Sequence, residues 1–274
     1  MPTWIGDLHC HSVHSDGSAT TEQIIEFARR LGLTHIALTD HDTMDGVATI
    51  TRQGAAVGIS VIPGVECSCV DPASERSAHL LCYAPACPAE LQAFLNPTLA
   101  RRREAKLEMA RKLQALYPIR EEDVLRLSRH SASIHEPHLI QALADMGYTA
   151  AVFGDLMKRL IGKRGSCYVP VAYPDVWQTA RAIREAGGVT VLAHPGQYGC
   201  VDLARELCES GLLNGIECYH PRNDAATTAA CERLADRYAL IRTGGSDFHG
   251  AYAWHPHPLG SYTADVAALT RLTQ

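Results

Sequence analysis

The sequence predicts an α/β protein in which short apolar strands alternate with helices and one block of helices interrupts the alternation. Two observations carry this. Short apolar runs recur between turn residues, with helix start and stop signals filling the gaps between them. From Pro88 to about Lys163 no strand pattern occurs, so a helical segment sits inside the alternation. Strand–helix–strand order implies parallel pairing through right-handed crossovers. The inserted helices read as a cap over the active face, dividing the chain into a barrel of residues 1–87 and 171–274 and a cap of residues 88–170.

The first strand covers residues 5–11 and carries His9 and His11 two positions apart, hence on one face. Asp16 follows on the outgoing loop. Thr20 or Thr21 can cap a helix over residues 22–31, which Gly32 ends. The strand at 35–39 delivers Asp40-His41-Asp42-Thr43. A helix over 46–57 breaks at Gly58 and leads to a strand at 60–66 that ends in Glu66. Another strand at 78–83 contains His79 near its start.

In the helical block, Asn96-Pro97 reads as a cap and first-turn proline. Further helices are expected over 121–127, 137–146 and 150–161. The cations Arg101, Arg102, Arg103, Lys106 and Arg111 spread over more than one helix face, the pattern of solvated charge rather than a nucleic-acid surface. Alternation resumes at Pro174. A helix to residue 186 precedes a strand at 188–193 ending in His194-Pro195; a helix at 202–209 precedes a strand at 215–219. Asn223 can cap a helix to residue 238, and the last clear strand, 240–244, runs into Gly245-Ser246-Asp247-Phe248-His249.

Composition narrows the function classes. Net charge is −5 with histidines neutral, against the basic balance of a non-specific nucleic-acid binder. No apolar run reaches the roughly 18 residues of a membrane span. Met1-Pro2-Thr3-Trp4 has neither the basic nor the apolar region of a signal peptide, so a cytoplasmic protein is expected, as a monomer or small homo-oligomer. Ten scattered cysteines without metal-ribbon spacing read as reduced thiols.

Fourteen histidines is the unusual count. His9, His11, His41, Glu66, His194, Asp247 and His249 all fall at strand C-termini, with Asp16 on the first loop and His79 early in its strand. In barrels of parallel strands that end is the functional face. Imidazole and carboxylate without thiolate suits manganese, iron or zinc, and this many groups suffices for two or three ions. Two divalent ions can lower the pKa of a bridging water and stabilise charge growing on phosphate oxygens, which is the chemistry of phosphate ester hydrolysis. His220 and His138 are candidates for donating to the leaving group or to phosphate; His14, His35, His255 and His257 read as non-ligands.

Asp7-Leu8-His9-Cys10-His11, Thr39-Asp40-His41-Asp42-Thr43, Gly64-Val65-Glu66, Ala193-His194-Pro195 and Gly245-Ser246-Asp247-Phe248-His249, in that order, closely resemble the motifs of the PHP (polymerase and histidinol phosphatase) family. The chain is similar to its stand-alone, amidohydrolase-like phosphoesterases: 3′,5′-nucleotide bisphosphate phosphatases, related 5′ exoribonucleases and a cyclic phosphate dihydrolase. The resemblance implies a distorted seven-stranded β/α barrel with an inserted helical cap, and manganese as the usual metal. It implies three metal positions: His9, His11, Glu66 and Asp247; Glu66 as a bridge with His79 and His194; and Asp16, His41 and His249. Asp16, Glu66, Asp247 and His220 would be catalytic, with a metal-bridged hydroxide attacking phosphorus in line.

Two departures bear on substrate. The bisphosphatases commonly carry Arg where this chain has Glu136, before Pro137-His138. A carboxylate cannot donate to phosphate. The loop before Tyr168-Val169-Pro170 keeps Lys163 and Arg164 but has Gly165 where a second lysine is usual. Substrate binding is thus assigned to His138, Lys163, Arg164 and Glu136. The expected substrate is a small phosphorylated metabolite, a nucleotide or sugar phosphate mono- or cyclic diester. The alternatives are a 3′,5′-bisphosphate phosphatase acting also on short RNA ends, and a non-catalytic metal-binding module.

Overall fold

The computed structural model describes residues 4–253 and 255–273. Seven strands follow one another in chain order around a nearly closed barrel: β1 (Gly6–Cys10), β2 (His35–Leu38), β3 (Ser60–Asp71), β4 (Arg76–Tyr83), β5 (Val189–Leu192), β6 (Gly215–Tyr219) and β7 (Ile241–Gly244). Helices α1 (Thr21–Arg30) and α2 (Val47–Val57) follow β1 and β2. The insert holds α3 (Pro88–Gln114), α4 (Glu121–Leu127), α5 (Glu136–Asp145) and α6 (Asp155–Ile161). Next come α7 (Val176–Glu185), α8 (Pro195–Tyr198), α9 (Val201–Glu209), α10 (Ala225–Tyr238) and α11 (Val266–Thr273).

Pairing is parallel except at β4, which runs antiparallel to both β3 and β5. The expected strand alternation fails there because β3 and β4 are joined by a tight turn, too short for a parallel crossover. Asp71 braces that turn, accepting from Ala73 N (3.0 Å) and Ser74 Oγ (2.5 Å). The reversal has a functional consequence. The start of β4 lies at the same barrel end as the C-termini of the parallel strands, so His79, early in its strand, reaches the same face as the others.

The barrel closes through the segment after β7. His11 N donates to Phe248 O (2.8 Å), Asp247 N to His9 O (2.9 Å) and, at the other end, Ala264 N to Gly6 O (2.9 Å). Gly245 is required at this seam, since a Cβ there would lie 2.4 Å from the backbone nitrogen of His9. Leu8, Ala37, Ile62, Leu81, Val191 and Ile241 fill the interior, and α11 plugs the lower end with Ala268, Leu269 and Leu272. The sequence reading did not anticipate α11, whose eight residues carry too short a period to stand out.

Three helix boundaries differ from expectation. α3 starts at Pro88, not at Asn96-Pro97, and continues through Pro97. That proline removes one helix hydrogen bond, but burial of Leu91, Leu95 and Leu99 on either side holds the segment helical. α6 begins at Asp155 rather than at residue 150. Asp224, not Asn223, caps α10, accepting from Thr227 N (2.8 Å). At α1 the cap is Thr20, in a reciprocal box with Gln23. The insert has its own apolar core around Met109, Leu113, Val124, Leu139 and Leu143, while the first half of α3 packs Leu91 and Leu95 into the barrel's outer core.

Candidate active site

Side chains carried in or just after all seven strands meet at one mouth of the barrel. Glu66, buried in β3, is the hub. Its Oε1 lies 2.7 Å from both His79 Nδ1 and His194 Nε2; its Oε2 lies 3.2 Å from His11 Nε2, 3.2 Å from His41 Nδ1 and 3.4 Å from His9 Nε2. Asp247 Oδ1 stands 3.2 Å from His11 Nε2 and 3.5 Å from His9 Nε2, and its Oδ2 is 3.4 Å from His220 Nε2. Asp16 faces His11 Nδ1 (3.5 Å), His249 Nε2 (3.4 Å) and His41 Nε2 (3.7 Å). Every residue expected as a ligand is therefore in this ring.

The local chain explains these placements. Three residues at or beside the ring take left-handed backbone angles without being glycine: Asp42 (φ 57°), His194 (φ 26°) and Asp247 (φ 53°). Such residues cost about 1–3 kcal/mol each and persist where surrounding contacts hold them. Each has visible bracing. Asp42 accepts from Ser68 N (2.8 Å) and from the buried Arg102 of α3 (2.5 Å). His194 N donates to Glu217 Oε2 (2.7 Å). Asp7 receives Ser246 N (3.0 Å), Ser246 Oγ (2.5 Å) and Gly260 N (2.7 Å), fixing the turn that carries Asp247. Asp40 anchors the first loop through Ser12 N (2.7 Å) and Ser15 Oγ (2.5 Å).

The sequence reading missed Glu217, Arg102 and His135. Glu217 also accepts from His9 Nδ1 (2.9 Å), which leaves Nε2 of His9 directed into the ring. A carboxylate in the otherwise apolar strand Gly215-Ile216-Glu217-Cys218-Tyr219 was the available signal. His135, at the start of α5, stacks 5.9 Å from His41. Arg102 was read as one of several solvated helix cations; it is instead buried against Asp42 and Ser68.

Charge accounts for the ionisation of the ring. Burial alone would raise the carboxyls of Asp16, Glu66 and Asp247, but the surrounding imidazoles hold all three well below the usual range. Burial would lower His11, yet Asp247 and Glu66 raise it to about 10. For His41 burial wins over Glu66 and Asp16 and pushes it down to about 4. His138 is likewise pushed by burial to about 4.

The donor set fits divalent cations. His9 Nε2, both ring nitrogens of His11 and His41 Nδ1 are buried without hydrogen-bond partners, beside carboxylate oxygens at 3.2–3.5 Å. Ligand–ligand edges of about 3.0–3.5 Å follow from metal–ligand distances of about 2.1 Å. Convergent groups of this kind include His9, His11 and Asp247; His9, Glu66 and His194; His41, Glu66 and His79; and His11, Asp16, His41 and His249. No cysteine joins them, and burial raises the Cys10, Cys67 and Cys69 thiols.

Over the ring lies a cavity of about 200 Å³ whose walls include Tyr198, Arg222, Tyr252, His255 and His257. The two histidines of the 255–257 loop, read as non-ligands, thus line this cavity. The residues assigned to substrate binding are dispersed. His138 is buried beneath Tyr252, with ring centroids 6.5 Å apart, and its Nδ1 accepts from His135 N (3.0 Å). Glu136 pairs with the buried Lys106 (2.5 Å). Lys163 and Arg164 are exposed and are not among the cavity's lining residues.

Comparison with known proteins agrees with the geometry. A sequence profile for the PHP domain matches residues 7–95. A phosphoribosyl 1,2-cyclic phosphate 1,2-diphosphodiesterase of Eggerthella lenta is 39% identical over 256 residues, covering 92% of this chain and 97% of the relative. A 3′,5′-nucleoside bisphosphate phosphatase of Chromobacterium violaceum is 31% identical over 258 residues, covering 89% and 86%. A crystal structure assigned as a metal-dependent phosphoesterase of Bifidobacterium adolescentis superimposes with a TM-score of 0.89 at 29% identity, covering 99% of this chain and 96% of that one.

Proposed function

This chain belongs to the PHP family, as a metal-dependent phosphoesterase acting on small phosphorylated substrates, and from that premise we propose that its substrate is a cyclic or terminal phosphate ester of a small sugar. The carrying observation is the cavity over the ring, about 200 Å³ and open on one side, which has room for a sugar phosphate. The 39% identity to a cyclic phosphate diphosphodiesterase supports the same substrate class.

The ligand roles proposed are those that the family resemblance implies. His9, His11, Glu66 and Asp247 would hold one ion, Glu66, His79 and His194 a second, and Asp16, His41 and His249 a third; the donor set suits manganese, iron or zinc, and the family resemblance implies manganese. Bound there, the ions would lower the pKa of water and stabilise charge on the phosphate oxygens. The remaining work falls to the chain. Glu217 fixes the tautomer of His9 and orients the His194 backbone. His220 Nδ1 accepts from Arg222 N (3.0 Å), so its proton sits on Nε2, toward Asp247. Because burial lowers His220, it acts as a neutral hydrogen-bond donor to a phosphate or leaving-group oxygen.

The insert, residues 88–170, acts as the cap. Ala132 N donates to His14 O (2.9 Å) and Ser131 Oγ to Ser15 O (2.7 Å), tying it to the first loop. Ten unpaired cysteines suit a reducing compartment, and we place the protein in the cytoplasm. The test is phosphate release by manganese-loaded protein from a ribose cyclic phosphate, simple sugar phosphates, a 3′,5′-bisphosphonucleotide and a 5′-phosphorylated dinucleotide. Preference for the sugar esters is expected. Preference for the bisphosphonucleotide or dinucleotide would overturn the substrate assignment in favour of a nucleotide phosphatase and exoribonuclease.

A further inference from the structure

Tyr198 stands in the cavity wall beside two of the ring's histidines and is held there from several sides. It ends α8, the short helix that follows His194. That helix is pinned at both ends: Gly196 N donates to Asn223 Oδ1 (2.9 Å), and Cys200 N donates to Pro195 O (3.0 Å). The phenol ring is edge-on to His79 and to His194, with centroids 5.2 and 5.6 Å away. These are the two imidazoles that share Glu66 Oε1, so the phenol borders their common position.

Two neighbours define the hydroxyl. Gln197 Nε2 donates to Tyr198 Oη (3.1 Å), and His79 Nε2 lies 3.4 Å from the same oxygen. The other ring nitrogen of His79, Nδ1, is 2.7 Å from Glu66 Oε1, as is His194 Nε2. Nδ1 is therefore the ligand atom of His79. An imidazole that ligates through Nδ1 carries its proton on Nε2 and donates it to an outer partner. Here that partner is Tyr198 Oη. The phenolic oxygen then accepts twice, from Gln197 and from His79, and its own O–H needs an acceptor elsewhere. Among the described residues no carboxylate or carbonyl accepts from it. Tyr198, His79 and His194 line one cavity, so the direction left for the proton is into the substrate space.

We propose that Tyr198 is a further catalytic residue, giving its O–H as a hydrogen bond to a non-bridging oxygen of the reacting phosphate on the His79–His194 side. This rests on the phosphoesterase reading of the ring and adds a donor that the ligand motifs do not include. A preorganised neutral donor aimed at an oxygen where charge grows stabilises the transition state without reorganising. The proton is shared and not transferred, so the phenol is unchanged by turnover. His194 stands between Tyr198 and His220, whose ring centroid is 5.0 Å from it. The two donors thus approach the phosphate from different sides, Tyr198 beside His79 and His220 beside Asp247.

The test compares manganese-loaded wild type and Tyr198→Phe on ribose 5-phosphate, which has a poor leaving group, and on p-nitrophenyl phosphate, which has a good one. Orthovanadate binding by calorimetry and metal content are measured on the same samples. Loss of the hydroxyl should lower kcat/KM about 10²-fold on both esters. It should weaken orthovanadate, which takes the shape of the transition state, about tenfold or more, with bound metal unchanged. A change under about threefold on both esters would overturn the proposal. So would a loss confined to ribose 5-phosphate, which would make Tyr198 a donor to the leaving group, or a loss of metal, which would make it a support for His79 alone. If wild type hydrolyses neither ester, the phosphomonoester reading fails, and orthovanadate still decides the role of Tyr198: equal binding by the two proteins would overturn it.

Discussion

The two walls of the site are built differently. The lower wall, the ligand ring, stands on strand ends: Glu66 is within β3, His9 within β1, and their neighbours are braced by buried carboxylates such as Glu217, Asp7 and Asp40. The upper wall is made of the loop around Tyr252, His255 and His257, the turn of Arg222, and α8 with Tyr198. Its members hang on connections rather than strands. The barrel holds the chemistry to tight tolerance, while the connections above it are free to differ between relatives acting on a cyclic sugar phosphate and on a nucleoside bisphosphate.

The largest expected effect strikes the lower wall at its hub. Glu66→Ala removes the carboxylate that approaches five imidazoles. Bound metal should fall together with activity, the latter by about 10³-fold or more. Metal analysis beside phosphate release checks this, and full activity with normal metal would break the assignment of Glu66.

Next is Arg102→Met. It leaves Asp42 buried and unpaired beside His41, which should destabilise the fold by about 3–5 kcal/mol and lower metal occupancy, read by denaturant melts and metal analysis. Glu217→Gln keeps the shape but weakens the hold on His9. Metal affinity should drop about 10–100-fold, with little change in melting of the chelated protein. Equal affinities would mean that Glu217 does not position His9.

The pH dependence separates the walls more finely. His41 and His138 are held at about 4, against 6.5 for a free imidazole. The unfolded chain therefore binds more protons between these values, so stability of the chelated protein should fall as pH drops from 6.5 toward 4. Between pH 6 and 4.5 the loss should be about 1–3 kcal/mol, read from melting curves. His138→Gln should flatten the slope; an unchanged slope would exclude His138 as a source. Metal binding should also release protons near pH 7, because His11, raised to about 10, must deprotonate to act as a ligand.

The smallest effect is expected at Glu136. Since it pairs with Lys106, Glu136→Gln should alter kcat/KM by less than about threefold and leave substrate ranking intact. A changed ranking would return Glu136 to the substrate wall.

These differences match what could be read in the sequence. Ligand types at strand ends were legible because strand periodicity fixes which face a residue takes, and closure of the barrel then brings the ends together. His79 was read early in its strand, at the opposite end from the other ligands, because the β3–β4 reversal was not legible from residue spacing. Glu217 and Arg102 were missed because each acts through a neighbour far away in sequence: Glu217 through His9, and Arg102 through Asp42. Arg222, His255 and His257 lie on connections, where no period indicates which side chain turns toward the cavity.

The most direct test of the central claim is a titration of metal-stripped protein with manganese, following bound metal per chain and phosphate release from a ribose cyclic phosphate together. The account predicts no hydrolysis in the stripped protein and activity that rises only as more than one ion binds per chain. Undiminished hydrolysis by the stripped protein, or a fully loaded ring without turnover of any small phosphate ester, would contradict it.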